Sequence, residues 1–161
     1  MSKVFFTYEQ QLDKLEKEKG LIIADRTYAE SMLKVSQNYS RVSEFELHQF
    51  IRVLASCRNT CAHGERLFTF RIKESGPDTV LHKKMRIPTK NGAYTLGKQD
   101  LFAVVIALRY LITNDEFKVF KRNLKAAVGI VLNKCPHISE QQLYGYMGFP
   151  SDWDKMTRYK K

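Results

Sequence analysis

The seven residues Cys57-Arg58-Asn59-Thr60-Cys61-Ala62-His63 hold the side chains of this chain best suited to chemistry on a phosphodiester. Arg58 offers a planar guanidinium whose forked donors match phosphate oxygens in pairs. His63 offers an imidazole able to take or give a proton near neutral pH. Cleavage of RNA by the neighbouring ribose hydroxyl needs both functions: proton transfer, and positive charge on the phosphate as it becomes pentacoordinate. Asn59 can hold either the imidazole or the phosphate by hydrogen bonding. This route requires no metal, and the sequence has no carboxylate cluster, Cys-x-x-Cys pair or His-x-x-x-His spacing from which to build a metal site. No cofactor is expected.

Geometry constrains the pair. Five steps along an ideal helix set Arg58 and His63 roughly 140° apart, so one straight helix does not aim both at one point. Gly64 suggests one resolution: the helix ends at His63 or just before it, and the imidazole swings toward Arg58. A two-fold dimer that brings the motifs of two chains into one groove is another. The ordinary alternatives are a surface charge at Arg58 and a helix C-terminal histidine at His63, favoured by the helix dipole. Cys57 and Cys61 lie at the same helical steps as Leu and Phe residues, which points to packing rather than ligation. His48, His82 and His137 have no evident partners and are expected at the surface or its boundary.

The elements that must position these residues read as helices. Thr7-Tyr8-Glu9-Gln10, Thr27-Tyr28-Ala29-Glu30, Ser43-Glu44-Phe45-Glu46 and Ser139-Glu140-Gln141-Gln142 are capping boxes. Gly20 should stop the first helix and Gly148 the last of these four, and Leu21-Ile22-Ile23 reads as a buried connector. Tyr28, Met32, Leu33 and Val35 form the stripe of the second helix. The third carries Leu47, Phe50, Ile51, Leu54, Cys57 and Cys61 at three- and four-residue steps and runs into the motif. Leu101, Val104, Val105, Leu108, Leu111 and Ile112 predict a buried helix from Asp100. Asn114 or Asp115 should cap the next, with Phe117, Phe120, Leu124, Val128, Val131 and Leu132 on one face, ending before Pro136. A last short turn is expected around Trp153.

Residues 66–96 break this rhythm. Phe68, Phe70 and Ile72 alternate with Thr69, Arg71 and Lys73 like a strand, Pro88 argues against a helix, and Gly76-Pro77-Asp78 and Asn91-Gly92 are turn chemistry. The expectation is a single all-α domain over residues 1–161, a helical bundle with an irregular, hairpin-compatible insertion at 66–96.

Composition fits one soluble domain: 161 residues, 43% hydrophobic and 27% charged. The apolar run from Leu101 to Ile112 is too short for a membrane span, and no signal peptide is evident at Met1. With Cys57, Cys61 and Cys135 read as reduced thiols, a cytoplasmic protein without membrane partner is expected. Lys and Arg number 27 against 17 Asp and Glu, a net charge of +10 and a pI near 9.6. Such an excess favours a polyanion, because each neutralised phosphate releases condensed counterion. The denser tail at Lys155, Arg158, Lys160 and Lys161 reads as a solvated terminus.

Arg58-Asn59-Thr60-Cys61-Ala62-His63-Gly64-Glu65-Arg66-Leu67-Phe68 resembles the signature of the Abi-like proteins, the AbiD/AbiF abortive-infection family. Phe6-Thr7-Tyr8-Glu9-Gln10-Gln11-Leu12 with Gly20-Leu21-Ile22-Ile23 resembles its amino-terminal pattern, and Met147-Gly148-Phe149-Pro150 with Trp153 its closing one. Fewer residues separate Tyr39 from Arg58 than in typical members, so the chain looks like a compact version lacking part of the central segment. The resemblance implies a HEPN-superfamily helical domain that forms a homodimer and acts as a metal-independent endoribonuclease in antiviral defence, as a toxin of an abortive-infection system. It implies Arg58 on the scissile phosphate, His63 in proton transfer and Asn59 orienting them. Glu65, Arg66, Arg71 and Lys73 would contact the RNA. A neutralising noncoding RNA or protein antitoxin is then a natural partner. The alternatives are a non-catalytic RNA-binding protein that holds a structured regulatory RNA, and a purely structural helical dimer.

Overall fold

In the computed structural model, which describes residues 7–19, 24–27, 29–30, 42–73 and 75–159, helices start where a small hydroxyl side chain can take the place of a missing carbonyl. The order is α1 (Tyr8–Lys19), α2 (Glu44–Ala62), a 3-10 turn (Leu67–Thr69), α3 (Val80–Lys84), β1 (Thr89–Lys90), β2 (Ala93–Tyr94), α4 (Leu101–Leu111), α5 (Asn114–Lys134), α6 (Glu140–Tyr146) and a 3-10 helix (Trp153–Arg158). The fold is all-α with one two-stranded hairpin. Among the described residues no helix is long and apolar enough to cross a membrane.

Three of the four expected capping boxes form. Thr7 and Gln10, Ser43 and Glu46, and Ser139 and Gln142 each exchange the reciprocal pair, with side chains accepting from main-chain amides at 2.9–3.3 Å. Thr27 is not a cap: it is already helical, and the Ala29 amide donates to the Asp25 carbonyl. The apolar stripe from Tyr28 to Val35, the connector Leu21–Ile23 and the stop at Gly20 lie outside the described residues. A further capping box opens α5. Thr113, rather than Asn114 or Asp115, caps it together with Glu116. Asn114 is thereby free to accept from buried Arg109 at 2.6 Å.

The chain divides into two units, Met1–His48 and Gln49–Lys161. Within the first, α1 buries Leu12, and Arg26 donates to Asp13 at 2.7 Å and pairs with Glu16. Within the second, α4 is the buried helix expected, from Phe102 to Ala107 and again at Arg109 and Tyr110. Of the positions expected to carry that burial, however, only Val104 and Val105 are buried, while Leu101, Leu108, Leu111 and Ile112 are half-buried. Phe50 stacks on Tyr110 with ring centroids 5.2 Å apart, and Phe102 meets Phe149 at 5.2 Å. Arg109 ties the chain's last described residues to this core, donating to the Tyr159 carbonyl at 3.1 Å and lying 5.4 Å over the Phe117 ring. Val131, expected on the buried face of α5, is 42% exposed. The rest of that face is as expected, with Phe117 and Val128 buried and Phe120, Leu124 and Leu132 half-buried.

The insertion differs from its expectation in detail. Phe70 and Ile72 point inward and Arg71 and Lys73 outward, as the alternation implies, but they pair with no strand; the Ile72 amide donates to the Gln99 carbonyl. Phe68 sits exposed in the 3-10 turn. A five-residue helix, α3, forms where none was expected, ending before Pro88. The hairpin does form, with Thr89 opposite Tyr94. Asn91 and Gly92 take φ of 52° and 78°, the left-handed pair that a two-residue turn between twisted strands requires.

His82 corrects another expectation: it is wholly buried, not at the surface. Its Nδ1 accepts from the Thr79 amide at 3.1 Å, its Nε2 donates to the Gly97 carbonyl at 3.1 Å, and its ring stacks on Tyr94. The Gly97 amide in turn donates to the Asp100 carboxylate at 3.0 Å, and Asp100 caps α4 through Ala103. Burial holds His82 below the ordinary histidine range and Asp100 above the ordinary carboxylate range.

Two outcomes follow from these contacts. A Cβ at Gly148 would lie 2.4 Å from Asp100 Cγ, on a backbone with φ of +77°. Gly148→Ala should therefore cost about 3 kcal/mol in urea unfolding. Because His82 is buried neutral, only the unfolded chain takes up its proton as pH falls below 6.5. Stability should fall below that pH by up to about 1.4 kcal/mol per unit. The decline should flatten in His82→Gln; an unchanged slope would refute the assignment.

Candidate functional site

Helix α2 delivers the motif. Its inward stripe is Phe50 and Val53, then half-buried Leu54 and Cys57. By Cys61 the stripe has left the core, and that thiol is exposed, contrary to the packing role expected of it. Arg58, Asn59 and His63 are all exposed. The helix then closes on Gly64, which takes φ of +67°. The Gly64 amide donates to the Cys61 carbonyl at 3.1 Å and the Glu65 amide to the Thr60 carbonyl at 3.0 Å, the paired bonds of a glycine-terminated helix. These bonds satisfy two carbonyls of the last turn, which would otherwise present bare negative ends to an approaching phosphate.

The helix ends at Ala62, just before His63, as Gly64 predicts. The His63 amide donates to the Asn59 carbonyl at 3.0 Å, the last such bond before the chain turns. Helical spacing sets Arg58 and His63 about 140° apart around α2. Asn59 stands between them on the helical wheel, one residue from Arg58 and one turn before His63. Its Oδ1 accepts from Arg58 Nη1 at 3.2 Å, so Asn59 orients the guanidinium and leaves its own amide donors outward. No described residue hydrogen-bonds the His63 imidazole.

The chain turns back after Gly64 and encloses an open groove of about 550 Å³, lined by Thr60, Gly64, Glu65, Arg66, Thr69, Phe70 and Arg71. Three of the four expected RNA contacts, Glu65, Arg66 and Arg71, meet here. Lys73 is exposed but does not line the groove, and neither do Arg58, Asn59 and His63. Arg71 is held in place by donating to the Phe70 carbonyl at 2.7 Å and to the Tyr146 carbonyl at 3.4 Å. Two arginines against one glutamate leave the groove positive. The hydroxyls of Thr60 and Thr69 were not anticipated, since a groove made by chain reversal has no signature in spacing. A second hollow, of about 680 Å³, surrounds Tyr144, Phe149 and Trp153 and carries both signs of charge in Lys125, Glu140 and Asp154. Among the described residues no three His, Cys, Asp or Glu side chains converge as metal ligands do.

Burial pushes the Cys57 thiol up to about 11, with neighbouring Cys61 adding to the effect. At pH 8, exposed Cys61 and Cys135 should react readily with a chromogenic disulfide reagent, and Cys57 at least about tenfold more slowly. Three equally fast thiols would contradict the buried setting of Cys57. Compared with known proteins, the chain matches no family model, no curated protein and no solved structure.

Proposed function

We propose that this protein is a metal-independent endoribonuclease of a phage-defence or toxin-like system, acting as a homodimer. The observation that carries the reading is the exposure of Arg58, Asn59 and His63 at the carboxyl end of α2, in a chain of net charge +10 that also carries a positive groove. The motif's resemblance to the Abi-like and HEPN signature supports it. Because helical spacing sets Arg58 and His63 about 140° apart, the His63 of one chain works opposite the Arg58 of a second copy, and a two-fold axis supplies both sites at once.

In the reaction, the ribose 2′ oxygen attacks the adjacent phosphorus. A P–O2′ bond forms and the P–O5′ bond breaks, leaving a 2′,3′-cyclic phosphate and a 5′-hydroxyl. His63 handles a proton of this exchange, from the attacking hydroxyl or to the leaving oxygen. Arg58, oriented by Asn59, holds the phosphate oxygens as negative charge accumulates. Arg66 and Arg71 track the flanking backbone, and a neutralising RNA or protein partner would keep the activity silent. One observation favours a second reading, a non-catalytic protein that holds a structured regulatory RNA. No described side chain orients the His63 imidazole, while the groove of Arg66 and Arg71 lies apart from it.

The test is cleavage of RNA in excess EDTA by wild type, Arg58→Ala and His63→Ala. Each substitution should lower the rate at least about 100-fold while leaving RNA affinity within several-fold, and the product should end in a 2′,3′-cyclic phosphate. Intact RNA bound by all three proteins would establish the holder instead.

A further inference from the structure

Two aromatic side chains on segments adjoining the groove are exposed, and neither folding nor the proposed chemistry uses them. Tyr146, in the last turn of α6, is 63% exposed, whereas Tyr144 two residues earlier is buried against Phe149 and Trp153. Phe68, in the 3-10 turn that packs against α6, is 43% exposed. Arg71 joins these two elements: it lines the groove, and its guanidinium donates to the Tyr146 carbonyl. Thus two residues with exposed rings, from segments more than 70 residues apart in sequence, are carried by elements that pack together and that Arg71 joins, although neither residue lines the groove. The other exposed apolar side chains of this unit, such as Val119, Ile130 and Val131 on α5, are aliphatic.

We propose that Tyr146, placed beside Arg71, is a stacking platform for an unpaired base of RNA whose backbone lies in the groove, with Phe68 as a secondary contact. This deepens, and rests on, the reading of the groove as an RNA site. Every base has an apolar face that a ring can cover, so such a platform adds affinity without dictating sequence. In a duplex those faces are already stacked on their neighbours, whereas an unpaired base can turn one toward a ring. Arg66 and Arg71 contribute to both forms through phosphate, while Tyr146 contributes only where bases are free. Tyr146 is thus a positioning and specificity residue, not a catalytic one.

The experiment measures anisotropy of labelled RNA with the full-length chain in a His63→Ala background, comparing a single strand with a blunt duplex of the same length. Tyr146→Ala should weaken single-strand binding about tenfold and leave duplex binding unchanged. Tyr146→Phe should retain the affinity. Arg71→Ala should weaken both forms and flatten their salt dependence. Thermal melting of each variant checks the fold. If Tyr146→Ala binds the single strand as well as its parent, or loses both forms equally, the stacking role is overturned while RNA binding stands. If the parent binds neither RNA at moderate salt, the underlying RNA reading fails with it.

Discussion

A single buried carboxylate organises the larger unit. Asp100 accepts from the amides of Gly97 and Ala103, so it ends the insertion and starts α4 with the same side chain. Gly148, which closes α6, lies so near that it has room for no side chain at all. On the far side of Gly97, His82 donates to the glycine's carbonyl and fixes α3 against the hairpin through Tyr94. A carboxylate out of water is tolerable only when its oxygens are fully occupied. Here the donors are the main-chain amides of Gly97 and Ala103, so the end of the insertion and the start of α4 must adopt one arrangement to satisfy it.

That arrangement frames the candidate site. The insertion has to return to α4 at Gln99, whose carbonyl takes the Ile72 amide, and this holds residues 70–72 extended along the unit. Phe70 and Ile72 are buried as a result, and Arg71 between them is turned outward to the groove and to α6. The position of Arg71 is therefore a consequence of core packing two residues wide. The glycine closure at Gly64 does the complementary work: it reverses the chain so that Arg66 and Arg71 face a common hollow.

Arg58 and His63 obey a different constraint. Helical spacing sets them about 140° apart around α2, and the helix ends at Ala62, one residue before His63. Both side chains are exposed, and no described residue hydrogen-bonds the His63 imidazole.

Local chemistry was readable in the residues themselves. The boxes at Thr7, Ser43 and Ser139, the closures at Gly64 and Gly148 and the Asn91-Gly92 turn depend on neighbours within a few positions, so type and spacing were sufficient. The box at Thr113 was equally local but masked by Asn114 and Asp115, which are themselves good caps. The burial of His82, the exposure of Cys61 and Val131, and the absence of Lys73 from the groove were not readable. Each depends on which distant segment comes to lie against that side chain. For the motif, sequence alone determined that an arginine, an asparagine and a histidine share one helix about 140° across from end to end. Only the tertiary structure decided that Asn59 accepts from Arg58 and that the positive groove forms beyond Gly64. Those outcomes rest on long-range packing, for which residue type and spacing carry no record.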